Sequence, residues 1–319
     1  MKTLTYIAFL VLALTACNQK DPLENIGIFH AESDAFYNVV SRNAHVENMG
    51  VNFEFTEGPA WHRAGYLLYS DIPANKIYKM DGRKFDVFRE PSGNSNGLLI
   101  ERDGSVIACE HGSRSITKFS MDGTLSTLAD NYKGARFNSP NDLCKSSAGI
   151  IYFTDPPWGL PERNEDPTKE IPFNGVYLLK DGVVSLIDSS LAWPNGIALS
   201  PDERYLYVAN FENSQADGKE KNEVFWTRYE LNLEGEAIGK SIFFTAPDVT
   251  LPGGPDGMKV DAEGNIFATG PGGILVIDSS GTYLGRIELP VPPANLAFGP
   301  KGKKLYVTAR STVLMVTLN

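Results

Sequence analysis

The chain has 319 residues, of which 42% are hydrophobic and 11% aromatic, enough to bury a sizeable core. Its net charge of −10 excludes electrostatic binding to nucleic acid or to an anionic membrane surface, and suits a cation site or a neutral ligand. Thirty Gly and twenty Pro mark frequent turns, which points to an all-β class.

The first element is a targeting segment. Lys2 gives a positive start and Leu4–Ala16 is apolar, a run too short to span a bilayer as a mature helix. It ends in Leu14-Thr15-Ala16-Cys17, which resembles the lipobox of bacterial lipoproteins; an ordinary signal peptide that happens to hold Cys17 is the alternative. The resemblance implies cleavage before Cys17, lipidation of its thiol, and a cell-envelope protein facing the periplasm or exterior, with membrane contact through the lipid alone. Residues 17–34 then read as a lipidated tether and 35–319 as the folded domain. Cys109 and Cys144 remain for that domain. They could pair in an oxidising compartment, but are expected as buried free thiols, each on a strand, and no Cys/His spacing suits a zinc–thiolate site.

From residue 57 onward the chain repeats one phrase. The copy Asn195-Gly196-Ile197-Ala198-Leu199, followed by Pro201-Asp202 and then Tyr205–Ala209, reads as two short strands joined by a turn, with a polar residue at the entrance. In-phase entrances are Glu57, Asn96, Asn141, Asn195, Asp256 and Asn295, spaced 39, 45, 54, 61 and 39 residues apart, the size of a propeller blade. Third strands follow at Lys76–Lys79, Ser115–Lys118, Gly175–Leu178, Val224–Thr227 and Ile274–Ile277. The last unit stops after its third strand, Thr312–Leu318, so its fourth is expected from the N-terminal segment near His45–Val51. The fold expected is a six-bladed β-propeller of four-stranded antiparallel blades, its ring closed by an N-terminal strand; a β-sandwich or open repeat array is the alternative.

First strands line a propeller's channel, so the six entrances should ring it. Taken singly, an Asn-Gly is most often a turn. Six oxygen-bearing side chains in phase, two carboxylates and four carboxamides with no Lys, Arg, His or Cys, suit a hard divalent cation, calcium first, with zinc, manganese or magnesium as alternatives. A purely structural polar ring is the other reading. The long loops Pro156–Asn174 and Phe211–Asn222 follow second strands and should rim the same mouth, offering Trp158 and Phe211 as stacking faces; their many polar residues suggest a sugar or polyol.

Glu57-Gly58-Pro59-Ala60-Trp61, Arg136-Phe137-Asn138-Ser139-Pro140-Asn141-Asp142, Thr154-Asp155-Pro156-Pro157-Trp158-Gly159, Pro194-Asn195-Gly196 and Pro255-Asp256-Gly257-Met258 resemble the SMP-30/gluconolactonase family, and Cys109-Glu110-His111-Gly112 its bacterial gluconolactonase branch. The resemblance covers about Val51 to Leu318. It implies a six-bladed propeller and one divalent metal held at the positions of Glu57, Asn195 and Asp256, with Asn141 joining the metal or the substrate. Asn96 and Asn295 are not usual ligands there. The implied reaction is hydrolysis of an aldonolactone to its acid, with Asp256 as general base or as nucleophile, and a small sugar lactone as partner of a monomer or weak oligomer. Arg136, Glu110 and His111 are candidate substrate contacts, although His111 serves equally as a contact between blades. Asp71 and Asp155, which end second strands, are expected to support the ligands from behind. An organophosphate or aryl-ester hydrolase with the same metal ring, and a propeller that only binds a ligand, are the competing functions.

Overall fold

A computed structural model describes residues 25–211 and 224–318. Cys17 and most of the Phe211–Asn222 loop therefore lie outside the described residues. Six antiparallel four-stranded sheets follow one another along the chain, as the repeat requires. Their innermost strands are Thr56–His62, Ser95–Ile100, Leu143–Lys145, Pro194–Leu199, Met258–Val260 and Asn295–Phe298, for blades 1 to 6. The sixth blade closes as expected: His45–Gly50 pairs antiparallel with Thr312–Thr317, so the two ends of the domain share one sheet.

One expectation changes. Ile28–Ala31, assigned above to the tether, pairs with Tyr283–Glu288 as a fifth strand on the outer edge of blade 5. The one-turn helix Phe36–Val39 follows and drives Phe36, fully buried, between blades 5 and 6. The folded domain thus begins before residue 35. Blade 5 ends on an otherwise open edge, and a strand laid along it satisfies that edge's backbone groups.

The core is a set of wedges rather than one centre. Each of the six apolar clusters draws its residues from two neighbouring blades: Ala60, Leu68 and Ile77 meet Leu98, Val106 and Ala108 between blades 1 and 2, and Leu67 and Tyr69 meet Tyr306 and Met315 across the closure. Strands buried on both faces need aliphatic and aromatic residues at consecutive positions. That explains why the second strands, such as Leu206, Tyr207, Val208 and Ala209, show no polar alternation. Cys109 and Cys144 are free thiols on strands of blades 2 and 3.

Candidate active site

The inner strands are irregular where the entrance residues sit. Pairing slips between Glu57 and Ala60, between Ser95 and Leu98, and between Pro194 and Ile197. In blades 3 and 5 the regular strand starts only at Leu143 and Met258, just after the entrance. A bulge turns a side chain away from the pleat, and here it leaves the entrance residues at the axis. Crowding requires the glycine that follows: a Cβ on Gly58, which also has a φ of +49°, would stand 2.0 Å from the Asn96 carbonyl oxygen, and one on Gly196 2.1 Å from that of Asp256. Adjacent blades touch there through backbone. Gly97 N–H donates to the Asn141 carbonyl at 2.8 Å and Gly196 N–H to that of Asp256 at 3.1 Å.

The ends of the second strands hold these segments in place. Asp71 accepts from the N–H groups of Glu54 and Phe55, both at 3.0 Å, and Asp155 from those of Asn138 and Ser139, both at 2.8 Å. Asn210 accepts from Trp193 N–H at 2.9 Å. Each anchor lies two or three residues before an entrance residue, so Asp71, Asp155 and Asn210 position Glu57, Asn141 and Asn195 without facing the cavity.

A cavity of about 330 Å³ opens at this end of the channel. Glu57, Asn96, Asn141, Asn195 and Asp256 line it together with His111; Phe55, Ile72, Pro73, Trp158 and Phe211 form its walls, and Arg163 completes it. The carboxamides make an arc. Asn96 Nδ2 donates to Asn141 Oδ1 at 2.7 Å, Asn141 Nδ2 donates to Asn195 Oδ1, and the Asn195 side chain hydrogen-bonds the Asp256 carboxylate. Asn96 Nδ2 also lies 3.4 Å from His111 Nε2, while its own Oδ1 is buried without a partner.

The carboxylates are at odds with their surroundings. Burial raises the Glu57 carboxyl to about 7, the Asp142 charge pushes the same way, and Gly58 N–H at 2.9 Å opposes them. Asp256 keeps partial exposure to the cavity but sits deep beneath the propeller face; burial first, then Glu57 and Asp142, drive its carboxyl well above the usual range. Lys259, on the inner strand of blade 5, is the cation that eases Glu57. His111 goes the other way: burial lowers it to about 4, so it is neutral at pH 7.

Several site expectations move. Glu110 does not line the cavity. It accepts from Arg89 Nη1 at 2.8 Å, Ser113 Oγ at 2.6 Å and Thr117 Oγ1 at 2.6 Å, a buried pair that clips blade 1 to blade 2. Arg136 is exposed and off the cavity, its N–H bonded to Glu170 at 2.7 Å, because the small hairpin Asn131–Tyr132 with Ala135–Arg136 turns it outward. Asn295 does not line the cavity but stays against its carboxylates: its Nδ2 donates to Asp142 Oδ2 at 3.2 Å and its side chain hydrogen-bonds Glu57. The walls are largely aromatic and aliphatic, where polar rim loops suggested a polyol-lined mouth; the 156–174 loop turns polar groups onto one another and onto the backbone. Sequence reading missed Asp142, yet the same phasing finds it: the position after the entrance is Gly in blades 1, 2, 4 and 5 but Asp in blade 3.

The donor set fits a hard cation. Two half-solvated or buried carboxylates with raised affinity for protons, a third carboxylate beside them and neutral carboxamide oxygens would all be eased by a divalent ion. Among the described residues no three His, Cys, Asp or Glu side chains converge as a metal site. A cation here would depend on the carboxamide oxygens of Asn195 and Asn141 besides Glu57 and Asp256.

Residues 55–311 match the family described as SMP-30/Gluconolactonase/LRE-like region. A gluconolactonase of Zymomonas mobilis is 37% identical over 294 residues, which cover 85% of this chain and 80% of that protein. The pentonolactonase XacC of Haloferax volcanii is 31% identical over 266 residues, 79% of this chain and 80% of that one. The solved structure of a Xanthomonas campestris gluconolactonase superposes with a TM-score of 0.80 at 30% identity, covering 91% of this chain and 95% of its own. A calcium-binding regucalcin structure from Agrobacterium tumefaciens, at 20% identity and a TM-score of 0.68, shares the fold. The chain belongs to the SMP-30/gluconolactonase/LRE-like family.

Proposed function

We propose that the chain is a lactone hydrolase that opens an aldonolactone to its acid at the mouth of the channel. The convergence of Glu57, Asn141, Asn195 and Asp256 in one cavity carries this reading, and its relatives, a gluconolactonase and a pentonolactonase, act in that substrate class. Glu57, Asn195 and Asp256 would hold one divalent cation, calcium first, with Asn141 joining it or the substrate. Such an ion supplies Lewis acidity toward the lactone carbonyl.

The remaining work belongs to the protein's own groups. Asp256 is the candidate base: it lines the cavity, where a carboxylate oxygen can accept the proton of the attacking water. The Asn96–Asn141–Asn195 arc fixes that carboxylate's rotamer from one side, and Gly58 N–H fixes Glu57 from the other. Neutral His111 adds a hydrogen-bonding edge without adding charge. Trp158, Phe211 and Phe55 exclude water and give the sugar ring a flat face. The same aromatic walls favour aryl esters as second substrates. Lipidation at Cys17, with the protein held at the extracytoplasmic face, remains part of the proposal.

The test is proton release from glucono-1,5-lactone by the purified protein before and after chelation. Activity is expected to vanish on chelation and return with Ca²⁺, Zn²⁺ or Mn²⁺. Full activity in metal-stripped protein would remove the cation from the mechanism.

A further inference from the structure

Among the described residues that line the cavity, Arg163 is the sole Lys or Arg side chain. Neither family resemblance nor repeat phase pointed to it, because it lies in the loop after blade 3's second strand. We propose that Arg163 is the specificity-determining cation of the mouth, and that it binds a carboxylate of the ligand. The inference rests on the lactonase reading.

Three observations support it. First, the residue is held in an unusual conformation: φ is +55°, left-handed for a side chain that rarely adopts it, at the start of the 3-10 turn Arg163–Glu165. The surrounding loop is pinned. Arg114 Nη1 donates to the Thr168 carbonyl at 2.9 Å, and Asp166 accepts from Glu162 N–H at 3.2 Å and Thr168 N–H at 2.9 Å. Second, the guanidinium is steered. Nη1 donates to the Trp158 carbonyl and, at 3.0 Å, to that of Leu160, and the group lies 5.4 Å from the centre of the Trp158 ring. Trp158 is itself wedged against Trp193 at 4.4 Å and Phe211 at 5.5 Å. Third, the charge has no counter-ion among the described residues. Among the described residues Arg163 forms no ion pair, and its Nε and Nη2 have no acceptor, whereas Arg89 is matched to Glu110.

The reaction supplies the missing anion. Opening a neutral lactone adds water across the acyl C–O bond: water's oxygen joins the acyl carbon, the ring oxygen leaves as a hydroxyl, and the new acid gives up a proton at neutral pH. A carboxylate thus appears where none existed, above a floor that already carries Glu57, Asp142 and Asp256. A fixed guanidinium at the mouth offers a bidentate landing place for it. A lactone that already carries a remote carboxylate presents the same chemistry.

Two arms separate these sources. Calorimetric binding of gluconate needs no turnover. Arg163→Gln is expected to weaken it at least tenfold, and Arg163→Lys, which keeps the charge but not the fork, to restore part of it. In the kinetic arm, kcat/KM for 1,4-glucarolactone is divided by that for glucono-1,5-lactone. If the substrate's carboxylate is read, Arg163→Gln lowers this ratio at least tenfold; if only the product's is read, the ratio holds while gluconate affinity falls. Gluconate affinity and ratio both unchanged in an Arg163→Gln protein with the wild-type melting midpoint would overturn the proposal, and if that variant melts early the same criterion applies to Arg163→Met. Wild-type protein that opens neither lactone counts against the lactonase reading instead, and the gluconate titration still reports on Arg163.

Discussion

At the scale of single residues, the site is a contest between burial and charge. Glu57 is pushed from 4.5 to about 7 mainly by loss of water, and Asp256 further by burial and by Glu57 itself. Without a cation both carboxyls hold protons near neutrality, and a bound divalent ion must displace them. Calcium binding at pH 6.5 should therefore release between about one and two protons, read by calorimetry in buffers of different ionisation enthalpy. Zero release would mean that the ion binds elsewhere. The sign for folding follows too. The unfolded chain gives up the Glu57 proton near 4.5 and the folded one near 7, so metal-free protein loses stability as pH rises through that window, by roughly 3 kcal/mol at most from this residue. Glu57→Gln should flatten that part of the melting-temperature profile; an unchanged slope would clear Glu57 of it. Asp256→Asn should cut kcat by about 10³-fold or more, while leaving the metal-free melting midpoint nearly unchanged, since it exchanges a buried carboxyl that already holds its proton for a neutral amide of the same shape. Wild-type turnover in that variant would take Asp256 out of the base role. Phase in the repeat made Glu57, Asn141, Asn195 and Asp256 legible, because bulged strand tops recur with the blade. Glu110 also stood in phase, at the end of a second strand. Its direction, however, is set by Arg89 on the neighbouring blade, a partner 21 residues away that no local pattern announces.

At the scale of elements, the blade interfaces carry their own requirements. The inner strands of blades 4 and 5 approach so closely that Gly196→Ala would press a methyl carbon into the Asp256 carbonyl, 2.1 Å away. The strands must separate, so a loss of roughly 3 kcal/mol or more is expected, with activity falling because Asn195 and Asp256 move apart. Denaturant unfolding measures the first effect and lactone turnover the second; a variant as stable and active as wild type would show that the channel tolerates widening. The Arg89–Glu110 clip predicts a non-additive pattern. Arg89→Ala strands a buried carboxylate and should cost about 3–5 kcal/mol, whereas Arg89→Met combined with Glu110→Gln should recover most of the loss. Equal costs for the single and double changes would show that the stranded carboxylate is not the source of the loss. The blades were readable from sequence because each second strand is a dense apolar run after a Gly or polar turn. Ile28–Ala31 was not: it has four residues, includes His30, and lies at an edge whose partner, Tyr283–Glu288, is some 250 residues away.

For the whole molecule, closure determines how the ring holds together. Blade 6 is completed by His45–Gly50, and blade 5 is extended by Ile28–Ala31, so the N-terminal segment straps the last two blades to each other. The sequence makes room for the strap at Gly285, where a Cβ would stand 2.3 Å from the His30 carbonyl oxygen and 2.7 Å from Phe36 Cδ2. Phe36 then fills the wedge with Leu284, Ile287, Leu296 and Leu314. Removing Phe36 by substitution with Ala should cost about 3–5 kcal/mol, the range for a fully buried ring. Truncation separates the two roles of the segment. A chain beginning at residue 25 retains every described contact of the strap and should melt with the full-length protein. One beginning at residue 33 loses the fifth strand but keeps Phe36 and the closing strand; it should melt several degrees lower and still open lactones, because neither that strand nor the outer strand it pairs with lines the cavity. One beginning at residue 52 has no fourth strand for blade 6, exposes two unpaired edges, and should fail to accumulate as a soluble monomer. An unchanged midpoint for the chain starting at residue 33 would return Ile28–Ala31 to the tether. A soluble, active chain starting at residue 52 would mean that the wedges between blades hold the ring without the strand that closes it.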